Sequence, residues 1–260
     1  MGQTYIPADR QTRIQNLIKE NGVVKVLDLS RRFNVTELTI RRDLDVLEKQ
    51  GILDRTHGGA ILRHRMKTEP LYTEKDQINR LEKEAIGKKI NELVEQGDTL
   101  LVNTGSTTSQ VLRHLAGKHL RVITSNANAL LEVADPDIEL ILTGGVFRRQ
   151  SNSLIGSLAH SVLQKMCGSK AIIGVDGLSI KFGLTTPVQQ EAEVTRLMIE
   201  RTQGPVVVVA DHSKMGVVSN FVTAPIKKIN VLVTDAGIKP DFKKMIQELG
   251  IRVIIADDSF

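Results

Sequence analysis

The stretch TELTIRRDLDVLEKQGILDRTHGGA, residues 36–60, contains the pattern that indicates how the first part of this chain folds. Ile40, Leu44 and Leu47 are spaced i, i+4, i+7, so they share one face of a helix. Thr36 stands where an N-cap residue is needed, because its hydroxyl can accept a backbone N–H of the first turn. The stretch therefore predicts a helix with one buried face, followed by a tight turn at the paired glycines.

The outward face of this predicted helix carries a pattern typical of a DNA-reading helix. At 100° per residue, Arg42 points nearly opposite the apolar stripe, and Arg41 lies on its flank. Leu38 shares the outward face and Thr39 flanks it, near the helix end that meets base edges in the major groove. An exposed leucine can contact a thymine methyl group there. The alternative is a solvated helix whose arginines only pair with neighbouring carboxylates.

Two more helical patterns precede this helix. The first has Asp9 as its predicted N-cap and Gly22 as its C-terminal glycine. The second covers about residues 26–33, and Asn34 is suited to the left-handed stop that follows. Only about three residues separate the second helix from the third, which predicts a helix-turn-helix.

Two short extended runs after the third helix predict a β-hairpin wing. ILDRTH and AILRH are β-tolerant, and Gly58-Gly59 between them offers the positive φ of a two-residue turn. Arg55, His57 and Arg63 would then contact DNA phosphates beside the groove. The predicted DNA-binding residues are Thr36, Leu38, Thr39, Arg41, Arg42, Arg55, His57 and Gly58.

Charge separates this first quarter of the chain from the remainder. Residues 1–66 hold 12 Lys and Arg against 8 Asp and Glu, whereas residues 67–260 hold 23 against 22. A basic segment on a near-neutral body is typical of a nucleic-acid module attached to a sensing or catalytic domain. The sequence has no apolar run long enough to span a bilayer and no secretory leader pattern, so we predict a cytoplasmic protein without membrane partners.

Cysteine and histidine usage argues against structural metal. The single cysteine, Cys167, excludes an internal disulfide framework. The six histidines are scattered and show no zinc-ligand spacing. We therefore predict neither a metal nor another cofactor.

Beyond residue 76 the chain alternates short apolar runs with helical patterns. A helical pattern at about 77–96 comes first. Seven β-rich runs follow it, with helical patterns between several of them. The runs are residues 99–103, 121–124, 139–143, 171–175, 206–210, 231–234 and 252–256. Such alternation predicts a doubly wound, mostly parallel α/β sheet covered on both faces. We thus predict a winged helix-turn-helix domain at 1–63, a polar linker at 64–76 and an α/β domain at 77–260.

Polar, glycine-containing loops follow six of these runs and predict a ligand pocket. In an open α/β sheet, ligands bind outside the carboxyl ends of the strands, so the loops are expected to converge there. Gly105-Ser-Thr-Thr108 then opens a helix and offers backbone N–H groups, hydroxyls and a helix dipole to an anion such as phosphate. Each loop alone is explained as a turn or a cap, but six together favour a small-molecule site.

Two sets of motifs resemble the DeoR family of bacterial transcription regulators. TIRRDL at 39–44 and RTHGGA at 55–60 resemble the family's N-terminal winged helix-turn-helix. Four later motifs resemble its C-terminal sensor domain, whose fold is similar to that of ribose-5-phosphate isomerase and the coenzyme A transferases. These motifs are GDTLLVNTGSTT at 97–108, LILTGG at 140–145 with Arg148, GVDG at 174–177 and VVVVADHSKMG at 206–216.

The resemblance implies a repressor of a sugar-utilisation operon that binds double-stranded operator DNA under the control of a phosphorylated sugar effector. By matching position, Gly105–Thr108 would bind the phosphate, while Asp176, Lys214 and Glu191 would face the sugar. Asn103 departs from the acidic residue expected before this loop. The predicted effector-binding residues are Gly105, Ser106, Thr107, Thr108, Ser125, Asn126, Gly145, Arg148, Asp176, Glu191 and Lys214. Paired DNA-binding domains imply a homo-oligomer, either a dimer or a tetramer.

Two other functions stay open on the sequence. The first is a phosphosugar isomerase fused to a DNA-binding segment, with Glu191 or Asp176 as the base and Lys214 as the cation. The isomerases carry a lysine and a glycine-rich loop after their aspartate motif. Residues 176–183 hold Lys181 but no triple glycine, so we predict binding without catalysis. The second is a non-specific nucleic-acid-binding or scaffold protein, which would not prefer one operator over random DNA.

Overall fold

The computed structural model describes most of the chain in two units. The described residues are 6–21, 23–50, 52–56, 58–62 and 69–256. Their internal contacts divide the chain into Met1–Thr68 and Glu69–Phe260. Residues 69–76, which the sequence assigned to the linker, fall within the second of these units. The segment from Glu69 onward belongs to the second unit because Tyr72 is buried there.

The described residues of the first unit form three helices and a small antiparallel sheet. The helices are α1 (Pro7–Asn21), α2 (Val26–Phe33) and α3 (Glu37–Lys49). The strands are β1 (Val23–Lys25), β2 (Leu53–Thr56) and β3 (Gly59–Leu62), in the order β1-β3-β2. The three predicted helices and the hairpin of the wing are confirmed. Strand β1 was not predicted, because three residues are too few to show a β pattern.

The predicted core and caps of the helix-turn-helix are present. Ile40, Leu44 and Leu47 are fully buried in one apolar cluster with residues of α1 and α2. Asn34 has φ 51° and ends α2 in the left-handed conformation. The Thr36 side chain caps α3 by accepting the backbone N–H of its third residue at 3.2 Å.

Local details of the first unit differ from the predictions. Helix α1 begins at Pro7, so Asp9 lies in its first turn and is not the N-cap; the fixed φ of proline suits a first helical position. Gly59 is paired within β3, and neither Gly58 nor Gly59 has the predicted positive φ. A Cβ on Gly59 would lie 2.0 Å from the carbonyl oxygen of Val24, so this glycine is needed where β1 approaches β3.

The second unit is an α/β domain. Its helices are α4 (Tyr72–Gln77), α5 (Arg80–Leu93), α6 (Ser106–His114), α7 (Ala129–Glu132), α8 (Ser157–Gln164), α9 (Gln189–Glu200) and α10 (Pro240–Glu248). Its strands are β4 (Thr99–Val102), β5 (Arg121–Thr124), β6 (Glu139–Leu142), β7 (Val146–Arg148), β8 (Ser153–Ile155), β9 (Lys170–Gly174), β10 (Gly177–Ser179), β11 (Gly183–Thr186), β12 (Val206–Val209), β13 (Phe221–Ala224), β14 (Val231–Asp235) and β15 (Arg252–Ala256). Each of the seven predicted β-rich runs is a strand.

The main sheet of this unit is parallel and contains a switch in strand order. Over the described residues its order is β15-β14-β12-β9-β4-β5-β6, and neighbouring strands pair in parallel. The chain enters at β4, extends to β5 and β6 on one side, and then crosses to β9 on the other side. Ligands of open α/β sheets bind where the order reverses in this way. A ligand site is therefore expected at the carboxyl ends of β4 and β9.

Helices cover both faces of this sheet, as predicted. Leu100 and Val102 of β4 point to one face and pack in a cluster with α5, α6 and α7. Leu101 points to the other face and packs in a cluster with α8, α9 and α10. The alternation follows from the two-residue period of a strand, and it explains why every position of such a strand is apolar. Two antiparallel additions complete the unit, the hairpin β7–β8 and the sheet β10-β11-β13. Among the described helices, none is long and apolar enough to cross a bilayer.

Candidate functional site

The outward face of α3 presents the side chains predicted to read DNA. Leu38 is 59% exposed, and both Arg41 and Arg42 are exposed. Arg41 lies 3.7 Å from Glu37 one helical turn earlier, a weak surface pair. The guanidinium of Arg42 makes no hydrogen bond or ion pair with any residue that the structure describes. Thr39 is half-buried, and its hydroxyl and its backbone N–H both contact the hydroxyl of the capping Thr36. This face thus offers one available guanidinium beside an exposed apolar group.

Arg55, predicted to contact phosphate from the wing, instead joins the wing to α3. Its guanidinium forms an ion pair with Asp45 and donates to the carbonyl of Arg41 at 3.0 Å. Its backbone N–H donates to the Glu48 carboxylate at 3.0 Å. Its side chain is only 20% exposed. In this arrangement Arg55 is paired with Asp45, and its contact with a DNA phosphate stays a prediction.

Of the other residues predicted to contact DNA from the wing, the structure describes Gly58. Gly58 is exposed, and a Cβ placed on it would meet nothing within 4 Å, which leaves room for a DNA backbone beside it. Gly22, His57 and Arg63 lie outside the described residues. The contribution of His57 to DNA binding stays a prediction.

The aspartate inside the TIRRDL motif is structural. Asp43 is buried, and its carboxylate accepts hydrogen bonds from Arg10 of α1 at 2.5 and 3.2 Å and from Gln11 at 3.0 Å. Arg10 is itself buried. The pair joins α1 to α3 on the side of α3 that faces away from solvent. The TIRRDL motif therefore contains the exposed arginines Arg41 and Arg42, which are available to a partner, and the buried Asp43, which stabilises the fold.

The second unit contains a polar pocket at the switch point of its sheet. Its wall comes from the carboxyl ends of the central strands, the hairpin β7–β8, strand β11 and helices α4, α6 and α9. The lining residues are Tyr72, Lys75, Asn103, Thr104, Gly105, Ser106, Thr107, Ser125, Ser151, Ser153, Ile155, Gly174, Val175, Asp176, Thr185, Thr186, Glu191, Val194, Thr195, Lys214 and Thr223. Most of these side chains are hydroxyls, amides or charged groups.

The predicted phosphate cradle lies in this wall. Helix α6 begins at Ser106 with Gly105 as its N-cap residue, and both line the pocket with Thr107. The first N–H groups of a helix have no carbonyl partner within it, so they are available to an anion. The hydroxyl of Thr108 instead donates to the Gly105 carbonyl at 3.0 Å and is buried. Thr108 therefore shapes the cradle and does not line the pocket.

Asn103 fixes the two strand ends on which the pocket is built. Its side-chain amide donates to the Gly174 carbonyl at 2.9 Å, and its carbonyl accepts the Gly174 N–H at 2.8 Å. It also donates to the Thr195 hydroxyl at 3.2 Å. An acidic residue could accept but not donate in this arrangement. The departure from the family pattern at this position thus has a structural use in this chain.

The carboxylate of Asp176 lies in the pocket wall and is held from two sides. The Nζ atom of Lys75, on α4, is 2.6 Å from Oδ1, and the Thr186 hydroxyl donates to Oδ2 at 3.0 Å. Both members of the ion pair are mostly buried. Asp176 and Lys75 together therefore present a matched charge pair toward the pocket.

Glu191 is a second carboxyl group in the wall. Its Oε1 atom accepts hydrogen bonds from Ser151 at 2.5 Å and Ser153 at 2.8 Å. Burial raises the pKa of Glu191, and the charges of Glu69 and Asp176 raise it further, against the opposing effect of the two hydroxyls. The carboxyl group is therefore favoured in its neutral form over a wider pH range than a free glutamate.

The cation Lys214 lines the pocket beyond β12. The neighbouring Asp211 is fully buried and accepts from the Asn79 amide at 2.7 Å and from the Ser213 N–H at 3.0 Å. Burial acts to raise the pKa of Asp211, but hydrogen bonds from Ser213 and Asn79 and the charges of Lys214 and Lys83 outweigh it, so the pKa is lowered. A charged carboxylate therefore stands next to Lys214 and balances its charge.

Three further predicted effector residues lie outside the pocket wall. Asn126 is buried and donates to the Ser109 hydroxyl at 2.9 Å. Gly145 packs against the hairpin, where a Cβ would lie 2.4 Å from the Ile155 carbonyl oxygen. Arg148 forms an ion pair with Glu69, and its guanidinium is 3.6 Å from the Glu191 carboxylate. They support residues of the wall without reaching the pocket.

The loops of this sheet differ in their distance from the pocket for a geometric reason. Adjacent strands are about 4.8 Å apart, so the two edges of a seven-stranded sheet are separated by roughly 29 Å, and loops from all its strands cannot reach one pocket. Gly145 follows β6, an edge strand. Asp235 is the last residue of β14, one strand from the other edge, and its carboxylate accepts from His212 Nδ1 at 2.8 Å. The loops directly after the central strands β4 and β9 line the pocket, and the connection after β6 reaches it through the β7–β8 hairpin.

Several lining residues were not predicted. Ser151 and Ser153 come from the hairpin, Thr185 and Thr186 from β11, and Lys75 from the segment assigned to the linker. Elements of three to six residues are too short to show a period, so their sequences gave no positional signal. The alternating hydroxyls of SNS at 151–153 were the available clue.

We expect the Glu191→Gln variant to melt about 2–4 °C higher than the parent at about pH 8, the shift that ~1 kcal/mol produces in a domain of this size. A raised pKa means that the folded state prefers the protonated carboxyl, so this contribution to stability is present near pH 4.5 and is lost as pH rises through the raised value. Glutamine stays neutral throughout. Calorimetric Tm values of both proteins from about pH 4.5 to pH 8 would test this, with the exposed Glu248→Gln as the control. A variant that melts no higher than the parent at pH 8 would contradict the assignment.

Comparison with known proteins places this architecture in a class. Residues 10–66 match the DeoR-like helix-turn-helix domain, and residues 78–236 match the DeoR C terminal sensor domain. The HTH-type transcriptional regulator GolR of Listeria innocua is 35% identical, over 96% of this chain and 99% of that protein. The transcriptional repressor AccR of Agrobacterium fabrum is 30% identical, over 96% of this chain and 97% of that protein.

A solved structure gives a more distant match. Ribose 5-phosphate isomerase A from Methanocaldococcus jannaschii aligns over 53% of this chain and 55% of that chain, with 18% identity and a TM-score of 0.38. The family matches and the full-length relatives define a transcription regulator built from a DNA-binding domain and a sensor domain. The chain belongs to the DeoR family.

Proposed function

We propose that this protein is a sequence-specific repressor whose binding to operator DNA is controlled by a small phosphorylated sugar in the pocket of the second unit. The observation that carries the proposal is the position of the α6 N-terminus, which opens into a polar pocket at the switch point of the sheet together with Lys75 and Lys214. The operon it regulates is proposed to serve sugar metabolism.

The chemistry of the pocket supports a phosphorylated polyol or sugar. Backbone N–H groups at the start of α6 suit a phosphate, and two lysines add positive charge. The same wall offers the carboxyl groups of Asp176 and Glu191 among serine and threonine hydroxyls, which suit a chain of alcohol groups. A wall of this composition would give an apolar ligand few partners and would leave polar groups without hydrogen bonds.

The DNA-binding form is proposed to be a homo-oligomer. Helix-turn-helix proteins read paired half-sites with two recognition helices, one from each protomer. Effector binding then favours one arrangement of the oligomer over another, which changes the spacing of the two α3 helices. Because its partner is chromosomal DNA, the proposed compartment is the cytoplasm.

Isomerisation is the alternative that the fold raises, and we propose that it does not occur. Proton transfer next to a carbonyl group needs a base that is free to accept a proton. The Asp176 carboxylate is engaged by Lys75 and Thr186, and the Glu191 carboxyl by two serines. These contacts favour binding groups over catalytic ones.

Replacing Thr107 and Lys214 by alanine is expected to abolish the thermal stabilisation that sugar phosphates give, while operator binding persists. A ligand that binds only the folded state raises the apparent stability with the logarithm of its concentration relative to Kd, about 2.7 kcal/mol at 100 times Kd. The parent and the double variant would be screened against D-ribose 5-phosphate, D-fructose 6-phosphate, glycerol 3-phosphate and inorganic phosphate.

The controls separate binding from other causes. Arg252→Ala removes an exposed charge from β15 in the same unit and should leave every shift intact. The ribose 5-phosphate samples would also be followed for ketose formation. If no phosphate stabilised the parent, or if ketose accumulated with turnover, the proposed function would be wrong.

A further inference from the structure

We propose that Lys75 is an effector-binding residue and that the segment carrying it, Glu69–Gln77, reports whether the pocket is occupied. We call this segment the strap. The inference rests on the proposed function, since it takes the pocket to be a phosphate-ester site. It adds to that site a residue from the part of the chain that directly follows the DNA-binding unit, which ends at Thr68.

The strap is attached to the pocket wall along its length. The Tyr72 N–H donates to the Gln150 carbonyl at 2.8 Å, and the Gln150 amide donates back to the Glu69 carbonyl at 2.5 Å. The Tyr72 hydroxyl donates to Ser109, on α6 behind the cradle, at 2.6 Å. Lys75 then pairs with Asp176 at 2.6 Å. The strap thus contacts the β7–β8 hairpin, the cradle helix and the Asp176 carboxylate in the pocket wall.

Lys75 is positioned by the fold and is not a mobile surface lysine. The buried side chain of Lys83 donates from Nζ to the carbonyls of Lys75 and Ile78, both at 2.5 Å. These bonds fix the backbone at the end of α4 that carries Lys75. Its own side chain is 18% exposed. The ammonium group is therefore oriented by its neighbours toward the pocket that it lines.

The charge arrangement gives Lys75 two competing partners. The cradle supplies backbone and hydroxyl groups, and along the described wall Lys75 and Lys214 are the cations. An ammonium group donates up to three hydrogen bonds, and charge-assisted bonds to phosphate are strong. A phosphate ester that binds Lys75 would draw it from the Asp176 carboxylate and free that carboxylate for a sugar hydroxyl. The empty and occupied pockets would then differ in how firmly α4 is held.

The test uses the full-length protein, with Lys75→Met, the conservative Lys75→Arg and the exposed Lys244→Met as the matched control. Titration calorimetry would measure binding of D-fructose 6-phosphate, glycerol 3-phosphate and inorganic phosphate. We expect Lys75→Met to weaken every phosphate that the parent binds by about tenfold. Lys75→Arg should keep affinity within about threefold, and Lys244→Met should match the parent.

Amide hydrogen exchange of residues 72–77, compared between the parent and Lys75→Met, provides a second readout. We expect a saturating phosphate probe to change the exchange rates of these amides, and we expect no such change in Lys75→Met. Unchanged rates in the parent, or tight binding by Lys75→Met with the parent's exchange response, would overturn the role of Lys75 while leaving the proposed function intact. Failure of the parent itself to bind any of the probes would overturn both.

Discussion

Replacing Arg42 by alanine is expected to lower operator affinity about 5- to 150-fold, the equivalent of ~1–3 kcal/mol, and to relax base preference at one position of each half-site. Arg42 is exposed on the outward face of α3 and is not engaged by the described residues around it, so its donors are available to a base edge. An arginine that reads guanine loses a bidentate contact when it is truncated. Binding of sugar phosphates should not change, because the pocket lies wholly in the second unit.

The measurement begins with operator sequences selected from random DNA by the parent protein. Affinity of parent and variant would then be compared in excess random DNA and at several salt concentrations, since phosphate contacts give a steep salt dependence without selectivity. Arg252→Ala, which removes the same charge from β15, is the control. If the Arg42 variant bound the selected site as tightly and as selectively as the parent, α3 would not be the reading helix. If the parent itself showed no preference over random DNA, a non-specific nucleic-acid-binding protein would be the better interpretation.

Replacing Asp43 by alanine is expected to destabilise the first unit by ~3–5 kcal/mol and so to abolish DNA binding by unfolding it. The loss is large because Arg10 would keep its charge in a buried site without this carboxylate. A unit of this size has only a small core, so a loss of this magnitude approaches its total stability.

Urea unfolding of the full-length protein would measure the effect, with the first and second units expected to unfold in separate transitions. Asp45→Ala on the same helix is the matched control. Its ion pair with Arg55 has a 54% exposed carboxylate, and exposed pairs contribute at most about 1 kcal/mol. Equal destabilisation by the two variants would contradict a structural role for the buried pair. A loss of DNA binding in Asp43→Ala with unchanged unfolding would assign the residue to DNA recognition.

Arg42 and Asp43 of α3 show which features could be predicted from the sequence and which could not. The apolar stripe of Ile40, Leu44 and Leu47 placed Arg42 outward, and the structure agrees, because a helical period is a local property. The same period could not identify the partner of Asp43, since Arg10 is 33 residues away. It also could not show that Arg55 pairs with Asp45 and is therefore not free on the wing.

Local sequence patterns were enough to predict the helix-turn-helix, the seven strands of the main sheet and the helix that opens after Gly105. Each is specified by neighbours within a few residues, through period, capping and glycine placement. Which loops meet depends on how the whole domain packs. The order of the strands placed β4 beside β9 and left Gly145 near an edge, and packing brought Lys75 to Asp176 across 101 residues. Pairings over such distances depend on the packing of the whole sheet, so no short stretch of sequence specifies them.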